Sequence, residues 1–140
     1  MIFRAFVIDD YPPCRDLLFH LLGSRGYEVL CFADAGFCDA CSSSISQCAR
    51  DTPCADFLLT DNKMPGISGL ELLTLQKKGG CKIANANKAI LSGAWSAFEL
   101  DEAASFGCRI FHKPYELPEL FSWLDAQEKA VLKKGPRDIE

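Results

Sequence analysis

The sequence contains no apolar run near the roughly 18 residues that a membrane-spanning helix requires. It has no excess of positive charge: 15 lysines and arginines against 19 acidic residues leave a formal net charge of -4. That balance argues against nucleic acid as a direct partner. The opening MIFRAFVIDD turns acidic within its first ten residues and offers no small-residue cleavage site. No signal peptide is therefore read, and a cytoplasmic location is expected. There is no internal repeat, no linker, and no room for a second domain in 140 residues. Residues 1–130 are expected to form one domain, with 131–140 the end of the last helix and a frayed tail. Histidine is scarce, with only His20 and His112, and neither stands in a catalytic pattern.

Cysteine is abundant, with eight residues. Without an export signal they read as free thiols rather than a disulfide framework. Cys38, Cys41, Cys48 and Cys54 crowd one segment, and Cys38-x-x-Cys41 has a metal-like spacing. The matching second C-x-x-C is missing, so core packing is the reading preferred over a metal or redox role.

Short apolar stretches alternate with helical periodicity. IFRAFVID, YEVLCFA, DFLLTD, NKAILSG and RIFHKP read as strands. PPCRDLLFHLLGSRG reads as a helix with proline in its first turn and a stripe of Leu17, Leu18, Leu21 and Leu22. DAGFCDACSSSISQCARD reads as a weaker helix with Phe37, Cys41, Ile45 and Cys48 on one face. SGLELLTLQKKGG, SAFELDEAASFG and LPELFSWLDAQEKAVLKK complete the set. Strict strand–helix alternation implies a doubly wound α/β fold, a five-stranded parallel sheet with helices on both faces.

Ligands in such sheets sit beyond the carboxyl ends of the strands. Those ends carry Asp9 and Asp10, then Asp61, then Ser92, then Lys113. Three carboxylates in one crevice repel one another, and a hard divalent cation such as Mg²⁺ relieves them. Lys113 can pair with Asp61, and an aspartate, already ionised at neutral pH, needs no general base to act as a nucleophile. Phosphoryl transfer onto Asp61 is the chemistry these groups suit.

VIDD, LLTDNKMPGISG, AILSG and FHKP, in this order, resemble the receiver domain of two-component response regulators, over roughly residues 3 to 130. The resemblance implies a flavodoxin-like sheet of order 2-1-3-4-5 with five helices in three layers. It implies Asp61 as the phospho-accepting aspartate, with Met64, Pro65 and Gly69 in the turn after it. Asp10 matches the direct Mg²⁺ ligand, Asp9 the acid holding metal-bound water, and Lys63 the residue whose backbone carbonyl ligates. Ser92 matches the switch hydroxyl, Gly93 the small residue beside it, and Lys113 the family lysine before Pro114, whose peptide bond is usually cis. Ile110 stands where the family usually carries an aromatic switch, and Phe111 is its possible substitute. Trp95 and Tyr115 fall on the face receivers commonly use for output.

The partners implied are a histidine kinase or a histidine phosphotransfer protein, and a downstream protein. The protein would be a signalling phosphoacceptor rather than a turnover enzyme. Alternatives are a phosphorelay intermediate or a receiver-fold binding module that is not phosphorylated. An aspartate-nucleophile phosphatase fits less well, because that class wants D-x-D at the first strand end.

Overall fold

A computed structural model describes residues 2–42 and 47–134. The strands are β1 (Arg4–Ile8), β2 (Glu28–Phe32), β3 (Phe57–Asp61), β4 (Lys88–Ser92) and β5 (Arg109–His112). They form one parallel sheet of order β2-β1-β3-β4-β5, as expected. The helices are α1 (Pro12–Ser24), α2 (Asp39–Ser42), α3 (Gly69–Lys78), α4 (Ala97–Phe106) and α5 (Leu117–Lys134).

Side chains alternate across a strand, so each central strand feeds two cores. Val7, Leu59, Leu91 and Phe111 face one way, against Leu18 and Leu22 of α1 and Leu120, Trp123 and Val131 of α5. Phe6, Ile8, Leu58 and Ile90 face the other, against Leu70 and Leu73 of α3 and Ala103 of α4. Every residue of β3 and β4 is buried, which suits the apolar runs 57–59 and 89–91, although Thr60, Asp61, Lys88 and Ser92 are buried with them. Val131 remains in the core, so the domain runs past residue 130 into the last helical turns. The expected tail, 135–140, lies outside the described residues.

Two sequence expectations change. The long second helix is not present over the described residues: a 3₁₀ turn at Ala35–Phe37 leads into a four-residue α2, and 47–50 are not helical. Cysteine, serine and aspartate, which make up much of this stretch, are weak helix formers. Asp34 instead accepts from the Gly36 amide at 2.8 Å and caps the 3₁₀ turn. Cys48 therefore falls outside any helical face, and Ile45 lies outside the described residues. In α1 the inward stripe is Leu18 and Leu22, while Leu17 turns outward and is 51% exposed. Among the described residues no helix is long and apolar enough to cross a membrane.

Candidate functional site

Parallel pairing brings the carboxyl ends of the strands to one edge. Ile8 lies opposite Thr60, Asp61 opposite Leu91, and Ser92 opposite His112, so the residues just beyond them share one crevice. Asp9, Asp10 and Asp61 each present a carboxylate oxygen there, all within 4.8 Å of one another. Lys113 reaches across from the end of β5. Its Nζ donates to Asp61 Oδ1 at 2.8 Å and to Asp9 Oδ2 at 3.1 Å. The Lys113 amide donates to the Ser92 carbonyl at 2.9 Å, which fixes the lysine's root beside β4, and the Lys113–Pro114 bond is cis.

Asp9 also accepts from the Tyr11 amide at 2.9 Å, so its carboxylate is oriented from two sides. Asp10 is exposed at the mouth. Burial pushes the Asp61 carboxyl above the ordinary carboxylate value, against the hydrogen bond and charge of Lys113, with Asp9 and Asp10 adding to the rise. The same two partners, Asp61 then Asp9, hold the Lys113 ammonium above its usual value despite burial. One ammonium faces three carboxylates. The donor set is all hard oxygen and carries excess negative charge, which fits a magnesium-sized dication and not a soft metal.

The surplus charge has a thermodynamic consequence. An acid whose pKa is raised by folding holds its proton more tightly in the native state. Folding is therefore favoured while Asp61 is protonated, and that contribution is lost as pH rises through the raised value. Asp61→Asn is expected to melt a few degrees higher than the parent at neutral pH without divalent cation. The gain should shrink as pH falls toward 4. Calorimetry across that range checks it.

No family model matches the chain. The Pseudomonas aeruginosa transcriptional regulatory protein AruR is 39% identical over 72 residues, 51% of this chain and 28% of that protein. The Bradyrhizobium diazoefficiens transcriptional regulatory protein FixJ is 37% identical over 75 residues, 53% of this chain and 32% of that protein. The match thus spans about a third or less of these curated relatives. Among solved structures, the Francisella response regulator 1452 receiver domain superposes with a TM-score of 0.69 at 21% identity, covering 92% of this chain and 98% of that one. The chain has the receiver fold of response regulators.

Within this fold, Asp9, Asp10, Asp61 and Lys113 come together as the sequence suggests. Ser92 does not yet join them: it is buried, and its hydroxyl donates to the Ala94 carbonyl at 3.0 Å and accepts from the Ala94 amide at 3.3 Å. The Lys63 side chain points away from the carboxylates and pairs with Glu99 Oε2 at 3.3 Å. Phe111 cannot stand in for the aromatic switch, because it is fully buried in the opposite core, edge-on to Trp123. Ile110 lies on the α4 side, packed against the same core as Trp95 and Phe106. Trp95 donates from Nε1 to the Phe111 carbonyl at 3.3 Å, which ties the loop after Ser92 to β5. Half-buried Tyr115 lines a cavity with Lys113, and burial pushes its phenol up to about 12. His112 is exposed at the end of β5 and His20 is exposed on α1, so neither enters the site.

Two contributors were not singled out from sequence. Asn62 is fully buried: its carbonyl accepts from the Gly69 amide at 3.1 Å and its Oδ1 from the Leu70 amide at 3.2 Å. It thereby closes the turn after Asp61. Glu99 accepts from Asn62 Nδ2 at 2.9 Å and from Lys63, while capping α4 with Ser96. An S-x-x-E pattern such as Ser96–Glu99 is a signal for a helix cap, but only the fold brings Glu99 to Asn62 and Lys63.

Proposed function

We propose that this receiver accepts a phosphoryl group on Asp61 from a phosphohistidine donor and changes a protein-interaction face in response. The observation that carries the reading is the Lys113 ammonium, held between Asp61 and Asp9 inside a cluster of three carboxylates. Such a cluster is costly to maintain as a fold element and suits the binding of a dication and a phosphoryl group. Mg²⁺ would be held by Asp9, Asp10, Asp61 and the Lys63 backbone carbonyl, and when bound it supplies charge neutralisation for the incoming anion. A carboxylate oxygen of Asp61 attacks phosphorus, and the bond from phosphorus to the donor's imidazole nitrogen breaks. Lys113 balances charge on the transferring oxygens. Ser92 would leave Ala94 to donate to the new phosphoryl group.

A histidine kinase or histidine phosphotransfer protein is the donor class proposed. Beside Asp9 and Lys113 lies a cavity of about 520 Å³ lined by Cys14, Leu17, Tyr115 and Leu117. Leu17 and Leu117 are largely exposed, so an apolar surface adjoins the carboxylates where a donor protein would seat. Incubation with a phosphorylated histidine phosphotransfer protein tests the reading. Transfer should require Mg²⁺ and stop on chelation or in Asp10→Asn. Equal transfer in chelator would overturn the metal assignment.

Readout is assigned to Trp95, because its indole bridges the Ser92 loop and β5 where Ile110 supplies no aromatic group. The only other tryptophan, Trp123, is buried in the far core. Phosphorylation is therefore expected to change tryptophan emission in the parent and in Trp123→Phe, and to leave Trp95→Phe unchanged. Steady-state fluorescence with a small phosphodonor measures this.

A further inference from the structure

Four cysteines outside the carboxylate site converge in the fold. Cys38, Cys48 and Cys54, from one segment of the sequence, and the distant Cys81 line one cavity of about 270 Å³, with Arg50 and Lys82 also in its wall. Cys38 is the thiol in the most developed polar setting. Gln76 Nε2 lies 3.7 Å from its Sγ, and the Oε1 of the same amide accepts from Lys88 Nζ at 2.9 Å. Gln76 and Lys88 are each only 1% exposed. A lysine this buried calls for negative charge nearby, since an uncompensated ammonium in the interior is costly. The Gln76 amide relays that demand to Cys38.

Cys41 is the natural second thiol. Its amide donates to the Cys38 carbonyl at 3.0 Å, closing a turn whose end Cα atoms lie within about 7 Å of each other, the span a disulfide needs. Hydrogen bonding with the Cys41 thiol, opposed by burial and joined by Gln76 and the amides of Ala40 and Cys41, pulls Cys38 down to about 6 from 9.0. Cys41 is held well above its ordinary value by the same bond and by burial. Burial also raises Cys31, and it lifts Cys54 and Cys108 to about 11. Cys38 is therefore an activated thiol beside a protonated partner, whereas Cys31, Cys54 and Cys108 are quieter.

We propose that Cys38 and Cys41 form a redox-modification site in which a hydroperoxide oxidises the Cys38 thiolate and Cys41 closes a Cys38–Cys41 disulfide. In the first step the Cys38 sulfur attacks one peroxide oxygen and the O–O bond breaks. Cys38 becomes a sulfenic acid, and hydroxide or alkoxide leaves and takes up a proton. In the second step the Cys41 sulfur attacks the Cys38 sulfur, the S–O bond breaks, and the departing hydroxyl leaves as water with the Cys41 proton. The two thiols are oxidised by two electrons and the peroxide is reduced by two. Gln76 is a positioning residue that orients and stabilises the thiolate without touching the oxidant. This chemistry is independent of Asp61.

The test uses the reduced full chain and hydrogen peroxide at low molar excess, followed by thiol blocking and peptide mass analysis. The tryptic segment 26–50 carries Cys31, Cys38, Cys41 and Cys48, so fragmentation must place the bond. The expected result is loss of two hydrogens, reversed by dithiothreitol, with the bond between Cys38 and Cys41. Cys41→Ser should instead give a sulfenic acid at Cys38 that dimedone traps. Gln76→Met should slow oxidation several-fold and move the pH profile of Cys38 alkylation upward. Mapping in the parent chain needs no variant to fold. Retention of all eight thiols, a bond between other cysteines, or a tightly held zinc that blocks oxidation would each overturn the proposal.

Discussion

Lys113→Ala is expected to slow phosphoryl transfer to Asp61 by about 10²–10³-fold, the range seen when one preorganised charge or donor is removed from a transferring centre. The side chain sits 2.8 Å from Asp61 and 3.1 Å from Asp9, so it already occupies the position from which it would meet phosphoryl oxygens. Its removal leaves three carboxylates with no ammonium among them. Two consequences separate this role from simple misfolding. Binding of Mg²⁺ should persist or tighten, because the competing cation is gone. The Asp61 carboxyl should titrate higher, because the hydrogen bond and charge that oppose burial are lost. Single-turnover rates with a small phosphodonor at saturating Mg²⁺ measure the first effect. An unchanged rate would show that the bridge is structural only.

Gly69→Ala is expected to destabilise the fold by about 2–3 kcal/mol, the scale of forcing atoms into a filled core. That is a fall of roughly 6–10 °C in Tm for a domain of this size. A Cβ at this position would lie 2.8 Å from the Asp61 carbonyl oxygen and 3.2 Å from methyl groups of Ile90 and Thr60. The nearest of these atoms is backbone, so no side chain can turn aside. Gly69 is thus a place of close approach between the start of α3 and the end of β3, held by its amide on the Asn62 carbonyl. Relief of the clash would push Asp61 away from Lys113. Phosphoryl transfer should therefore fall with stability, whereas Gly66→Ala should leave the Asp61–Lys113 spacing intact. At Gly66 the left-handed φ of 85° brings strain, but no atom lies within 4 Å of an added Cβ. Thermal melts of the two variants, paired with transfer rates, distinguish the mechanisms.

The sequence revealed most where local chemistry and burial coincide. β3 and β4 are buried throughout, and their apolar runs end in the groups that face the crevice, so Asp61 and Ser92 could be placed by reading along the chain. Lys113 could be placed by the same logic at the end of β5. The conformation of Ser92 could not, because its hydroxyl is turned to Ala94, and that depends on the loop around it. Phe37, Cys41, Ile45 and Cys48 share a helical period in the sequence, yet Phe37 belongs to a 3₁₀ turn and Cys48 to no helix, because a period of apolar residues does not by itself supply helix propensity. The crowding of Cys38, Cys48 and Cys54 was legible, but the arrival of Cys81 beside them was not: it depends on the turn after α3 and the segment before β3 meeting at one wall. Glu99, 36 residues from Lys63, is the same kind of long-range encounter.

Asp61 is the centre of this account, and the most direct measurement is where a phosphoryl group lands. The chain would be incubated with Mg²⁺ and a small phosphodonor, and the intact mass and fragment ions recorded alongside Asp61→Asn. The expected result is one phosphoryl group per chain, on the peptide containing Asp61, absent in the variant and in chelator. A phosphoryl group that persists in Asp61→Asn, or no Mg²⁺-dependent mass gain in the parent chain, would contradict the account.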